Sequence, residues 1–419
     1  MTVLNYDLVT HVLDNGLQVC IQSEPSAPAV AVNLWYEVGS FDEEQDRTGF
    51  AHLFEHLMFQ GSRDVASGEH MASIEAIGGT VNATTSMDRT NYFETVPPQA
   101  LELALWLEAN RLESLAITQQ NFDTQREVVK EEKRQRYNNQ PYGDVLKLLI
   151  GQHFAATHPY GHLPIGSMAD LEAAELTDVK RFFDAWYRPS NARLVICGDV
   201  EAGEAIELAG KHFSSLTDQP KPKHRASAAQ LLERQTTVVT RDVPHSLLYA
   251  SWPTPGAAAR DHIALDLALG ILTEGHTSRL HRRLVQDQGI VEEVHGATLT
   301  HLRDSSISMI LSRPAAGVGC EEAAAALTEQ IRDFHTEGPS MEELRRSKAQ
   351  YERDWLQDLA AVEGRADAIN DAWLTFEDPN LINSRLEEVD AITLDDVRAA
   401  VETHLASAPS ELHYLAAED

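Results

Sequence analysis

Between Ser214 and Ala226 the chain loses all hydrophobic periodicity: Asp218-Gln-Pro-Lys-Pro-Lys-His224 is polar, carries two prolines and has neither strand alternation nor helical spacing. Such a segment separates cores. It splits 419 residues into halves close to the size at which one hydrophobic core is stable, about 100–200 residues. The expected organisation is a unit over 1–215, a linker over 216–228 and a second unit over 229–419.

Each half opens in the same way. His11 to Cys20 reads as a hairpin turning at Asn15-Gly16, and Val30-Ala-Val-Asn-Leu-Trp-Tyr36 is a second β-rich run, read as a central strand. Helical spacing follows over Thr48 to Gln60, through Phe50, Leu53, Phe54, Leu57 and Met58, and again over Ser67 to Ile77, stopped by Gly78-Gly79. Thr80–Thr85 and Asn91–Val96 read as paired strands. Pro97-Pro98 opens a helix towards Leu112, a further helix runs from about Asn121 to Asn138, and Arg193–Asp199 is a closing strand. After the linker the pattern restarts, with a strand over His245–Trp252, a proline-bearing loop and a helix over Asp261–Leu272. The predicted fold class is therefore α+β, two tandem homologous domains, each a mostly antiparallel sheet with helices packed on it.

Sixty-five acidic against 34 basic side chains leave a formal net charge of -31, which repels phosphates and excludes nucleic acid and anionic membrane surfaces as partners. Cationic peptides are allowed, although scattered acidity also serves solubility alone. Cys20, Cys197 and Cys320 are too far apart for a CxxC pair or a disulfide framework. No apolar stretch is long enough to span a membrane, and the start lacks a signal peptide's basic and apolar regions, so the expected location is cytoplasmic.

The chemistry-bearing motif lies in the first helix. His52-Leu-Phe-Glu55-His56 places two imidazoles one turn apart on one helix face. That spacing suits two ligands of a tetrahedral zinc, with Glu55 beside them able to take a proton from the attacking water. A third ligand is required. The helix near residue 130 offers the pair Glu131-Glu132, and the residues alone leave both open.

Gly49-Phe-Ala-His-Leu-Phe-Glu-His-Leu-Met-Phe-Gln-Gly61 resembles the active-site helix of the pitrilysin family, the zinc metallopeptidases with the H-x-x-E-H order. Seventy-five residues separate His56 from Glu132, within that family's spacing, and Phe122 to Glu132 resembles its third-ligand helix, in which the second Glu is the ligand. The resemblance extends through Gly78-Gly-Thr-Val-Asn82-Ala83, His158-Pro-Tyr-Gly and Tyr187 to Ala192. It is strongest to short two-domain bacterial members related to mitochondrial processing peptidase. It implies a peptide hydrolase with Zn2+ held by His52, His56 and Glu132 and with Glu55 as general base. It also implies that Asn82 and Ala83 lie on an edge strand that pairs with the substrate backbone. His158 and His162 share the ligand spacing but are broken by Pro159 and Gly161, and read as loop.

Two departures from the family pattern stand out. Seven residues before Glu132, where the family usually has a second Glu that supports the metal site, stands Gln125, which can hydrogen-bond but lends no charge. Where active members place Arg and Tyr seven apart to hold the substrate carbonyl, this chain has Val285 and Glu292. The resemblance thus implies a catalytic subunit of a heterodimer, its oxyanion donors supplied by a homologous partner that need not bind metal. The alternatives are a self-sufficient homodimer and a non-catalytic scaffold subunit.

Overall fold

In a computed structural model, residues 2–218, 223–224, 231–301, 303 and 305–417 are described. Most of the expected linker, 219–222 and 225–230, lies outside them. Among the described residues no helix is long and apolar enough to cross a membrane.

The first half runs β1 (Leu8–Val12), β2 (Gln18–Ser23), β3 (Val30–Tyr36), α1 (Phe50–Leu57), α2 (Glu69–Ala76), β4 (Thr80–Thr85) and β5 (Thr90–Val96). It continues with α3 (Leu101–Ser114), α4 (Gln119–Lys133), α5 (Val145–His153), α6 (Met168–Ala173), α7 (Leu176–Trp186), β6 (Ala192–Gly198) and α8 (Ala202–Phe213). The second half runs β7 (Thr236–Arg241), β8 (Leu247–Thr254), α9 (His262–Thr273), β9 (Val291–Leu299) and β10 (Ser306–Pro314). It ends with α10 (Cys320–Glu337), α11 (Met341–Asp358), α12 (Val362–Phe376), α13 (Leu381–Ala391), α14 (Leu394–His404) and β11 (Ser410–Ala416).

The two sheets have one topology. The first is ordered β1-β2-β6-β3-β5-β4 and the second β7-β11-β8-β10-β9. Remove β1 and they superpose strand for strand in chain order, down to the single parallel pair, β2 with β6 and β7 with β11. All other pairs are antiparallel. The tandem repeat expected from the sequence is thus present as repeated topology.

Every residue of β3 is buried, because both faces of the sheet are covered. One face packs on helices of its own half. The other receives α12 from the second half, with Ala366, Ile369, Ala372 and Trp373 against Cys20, Ala31, Val195 and Cys197. Small residues on the strands let that helix approach closely. The exchange is reciprocal, since α5 of the first half lies on the second sheet, with Val145 and Leu149 against Leu247, Met309, Leu412 and Tyr414. At its end Gln152 Nε2 donates to Thr237 Oγ1 at 3.0 Å and to the Glu411 carbonyl at 2.7 Å. α8 ends at Phe213 and β7 begins at Thr236, and each sheet borrows a helix from beyond that interval.

Local signals set the helices that matter for chemistry. α1 begins at Gly49, whose φ of 97° is left-handed, a conformation open to glycine at little cost. α4 is capped by Thr118, whose hydroxyl accepts the Asn121 N–H at 3.1 Å. The expected helix over Asn121–Asn138 ends as regular α-helix at Lys133 and continues as a wider π-type turn over Arg134–Asn138.

Candidate metal centre

α1 and α4 pack side by side and aim three donors at one point. His52 and His56, four apart on α1, stand with ring centroids 4.9 Å apart and planes at 75°. Glu132 Oε2 on α4 lies 3.6 Å from His52 Nε2 and 3.3 Å from His56 Nε2. Its other oxygen is taken by Arg136, four residues on, at 2.8 Å. Arg136 therefore turns a single carboxylate oxygen towards the imidazoles. Glu131 faces away, paired with Arg134 at 3.0 Å.

The spacing suits a tetrahedral ion: donors at about 2.0–2.1 Å from one zinc stand about 3.3 Å apart, close to both distances at Glu132. The protonation states also suit one. Burial, then the neighbouring His56, pushes His52 down to about 4, leaving a neutral imidazole with a lone pair. A hydrogen bond from His56 holds the Glu132 carboxyl below its ordinary range against the opposing effect of burial. His52 Nδ1 is buried without a hydrogen-bond partner, so packing orients that ring. Gln125 is buried on α4, two turns before Glu132.

Glu55 projects beside the donors, and Thr85 Oγ1 at the end of β4 donates to its Oε2 at 2.5 Å. Burial raises the Glu55 pKa, with Thr85 opposing the rise. The sequence reading missed Thr85. Its signal was available in principle, since Ala83 and Thr85 alternate onto one face of the strand and Ala83 is buried. β4 is an edge strand, on which Asn82 is exposed. His158 and His162 do not join the centre: His162 Nε2 bonds Glu43 at 2.9 Å and His158 Nδ1 accepts the Tyr160 N–H at 3.0 Å.

A second set, His70, Glu94 and Glu108, also brings its donor atoms together, and all three residues are buried. It fits a catalytic ion poorly. Arg111, itself buried, bonds Glu108 and already neutralises it, and a fully enclosed cluster has no face for a substrate. Burial raises Glu94 to about 7 and, joined by Arg111, lowers His70 to about 3. Both shifts favour a protonated carboxyl bonded to a neutral imidazole. This is a structural cluster behind β5.

In the second half the resemblance directs attention to Val285 and Glu292. Val285 is partly buried against the apolar core. Glu292, at the start of β9, pairs with Arg313 at 3.1 Å. Neither side chain can donate a hydrogen bond to a carbonyl.

Comparison with known proteins finds two matching family models. Residues 18–162 match the family model described as insulinase (peptidase family M16), and residues 173–351 match the peptidase M16 inactive domain. Among similar proteins is the zinc protease PqqE of Helicobacter pylori, 29% identical over 395 residues, covering 93% of this chain and 88% of that one. A probable mitochondrial-processing peptidase subunit beta of Arabidopsis thaliana is 28% identical over 257 residues, covering 59% of this chain and 48% of that one. Among solved structures, a protease from Helicobacter pylori superposes with a TM-score of 0.89 at 24% identity over 99% of this chain and 100% of that one. A peptidase M16 inactive domain from Pseudomonas fluorescens does so with a TM-score of 0.87 at 17% identity, over 98% and 97%.

Proposed function

The chain belongs to the M16 peptidase family, and on that premise we propose that it is a zinc-dependent endopeptidase, with His52, His56 and Glu132 as metal ligands and Glu55 as general base. The proposal rests on one observation above all, the convergence of three donors from two helices with a half-buried carboxylate beside them.

Zinc in this position supplies a Lewis acid that polarises the scissile carbonyl and acidifies water. The protein's own groups do the rest. Glu55, its carboxyl pKa raised by burial, takes the proton of the attacking water and hands it to the leaving amide nitrogen. The β4 edge carries Asn82 and Ala83, where the Ala83 N–H donates to Asn82 Oδ1 at 2.9 Å, and an extended peptide adds to that edge as a further strand. Such docking suits short peptides or unfolded polypeptides within an enclosed chamber, and a folded protein cannot present that backbone.

The finer part of the proposal is a heterodimer. Valine and glutamate at 285 and 292 offer the substrate oxyanion no donor at those two positions, and a homologous subunit bearing Arg and Tyr there completes the site. The test is a peptidase assay on the pure chain, its mass verified. It is expected to bind about one equivalent of zinc and to cleave unstructured peptides poorly, with the homologous partner restoring roughly 10²–10³ in rate per donor supplied. Full activity of the pure chain would replace the heterodimer with a self-sufficient homodimer.

A further inference from the structure

We infer that Thr85 is the positioning residue for Glu55, and that through it the second half of the chain braces a site to which it contributes no ligand. The inference rests on Glu55 serving as base in the proposed hydrolysis.

A glutamate on an exposed helix face samples several rotamers, whereas a base must meet the proton it abstracts within hydrogen-bond reach. Among the described residues the Glu55 carboxylate has a single hydrogen bond, from Thr85 Oγ1 to Oε2 at 2.5 Å. That contact leaves Oε1 for the water. Threonine suits the task because its branched side chain is stiff about χ1, so the hydroxyl goes where the strand backbone puts it. Position 85 closes β4, opposite Thr90 of β5.

The end of the strand is itself clamped. Arg89 lies over the Trp35 ring at 4.7 Å and donates through Nη1 to the Thr84 carbonyl at 3.2 Å and to Asn91 Oδ1 at 3.1 Å. Asn91 and Asn33 in turn each donate to Asp367 Oδ1 at 3.2 Å. Asp367 belongs to α12, the helix that the second half lays across the first sheet. The chain of contacts therefore runs from α12 through Asn91 and Arg89 to the end of β4, and from Thr85 to the carboxylate beside the metal ligands. Peptide pairing on the same strand aligns substrate and base in one frame.

The experiment compares Thr85→Val, which keeps the shape and removes the hydroxyl, with Thr85→Ser, which keeps the hydroxyl, in whichever assembly is active. Thr85→Val is expected to retain one equivalent of zinc, an unchanged unfolding midpoint and a KM within about twofold, while kcat falls about 10- to 100-fold, as for a misplaced catalytic group. Thr85→Ser should recover most of that loss. Crystal structures of the zinc-loaded variants form the second arm: Glu55 should keep its rotamer in the wild type and Thr85→Ser and leave it in Thr85→Val. Wild-type kcat in Thr85→Val, equal losses in both variants, or an unmoved Glu55 carboxylate in Thr85→Val would each overturn the inference. If the wild type hydrolyses no peptide with any partner, the peptidase reading fails instead, and the crystallographic arm still decides the role of Thr85.

Discussion

α1 and α9 occupy the same place in two copies of one topology, each following the second strand of the shared five-strand pattern, and they carry opposite chemistry. On α1 three polar side chains, His52, Glu55 and His56, form the face opposite the apolar stripe, and the two imidazoles meet Glu132 of α4. The corresponding helix pair in the second half is α9 with α11. There Ala264, Leu265, Leu267, Ala268, Ile271 and Leu272 are buried, and the contact is closed by Ser347 Oγ donating to the Leu267 carbonyl at 3.0 Å. Gly270 permits that approach, since an added Cβ would lie 2.8 Å from the serine hydroxyl. The edge strands differ in the same sense: β4 exposes Asn82, whereas β9 carries Glu292 and Glu293 paired with Arg313. Charge on an edge discourages strand addition. The fold itself needs neither the metal donors nor the open edge, so the site is an addition to a scaffold that is stable without it.

The strongest attempt to break this contrast removes donors from equivalent positions. His52→Ala or His56→Ala should abolish zinc binding and lower peptide hydrolysis by more than about 10³, while His262→Ala on α9 should leave metal content unchanged. Elemental analysis of the three purified variants checks it, and retained zinc in the first two would end the ligand assignment. Glu55→Gln sharpens the point, since it should keep the metal and lose about 10²–10⁴ in kcat, separating base from ligands within a single helical turn.

A substitution in the core tests whether the halves differ in chemistry but not in stability. Ile369 is fully buried beneath the first sheet although it belongs to the second repeat. Ile369→Ala should cost about 2–5 kcal/mol, read by urea unfolding. Hydrogen exchange should accelerate in β3 and β6, strands far from it in sequence. Faster exchange confined to the second sheet would contradict the exchange of helices.

The smallest effect concerns the buried cluster behind β5. Burial raises the Glu94 pKa from 4.5 to about 7, so the folded state holds this proton after the unfolded chain has released it. Its contribution to stability is complete below the unfolded value and is lost as pH rises through about 7. Glu94→Gln cannot release a proton. Relative to the wild type it should gain roughly 1–3 kcal/mol between pH 5 and pH 8, measured by denaturant unfolding at both pH values. A pH-independent difference would mean that Glu94 is charged throughout.

Much of the site was legible along the chain because it is local. H-x-x-E-H lies within two helical turns, where spacing alone dictates which side chains share a face. Thr80–Thr85 and Val30–Tyr36 coincide with β4 and β3 for the same reason, a β-rich composition contained within one strand. The choice between Glu131 and Glu132 was not legible in the residues, because adjacent helical positions point about 100° apart and only the partner helix says which direction is inward. Resemblance supplied that choice, and the two orientations in the structure are consistent with it. Thr85 was missed because a hydroxyl at a strand end is ordinary until something lies within reach.

What the sequence determined by itself is therefore the set of short-range relations: which segments are helix or strand, that the chain holds two repeats, and that two imidazoles and a carboxylate share one helix face. Only the tertiary structure decided what covers the second face of each sheet. Val362 to Phe376 is the helix that covers the first sheet, and nothing within β3 names it as the cover. Burial of apolar surface is non-directional, so any apolar helix face would satisfy it. The selection of α12 for the first sheet, and of α5 for the second, comes from small strand residues such as Ala31 and Cys197 matched to Ile369 and Trp373, and from hydrogen bonds such as those of Asp367 and Gln152. These specify a partner only when segments 85 and 276 residues apart are brought together.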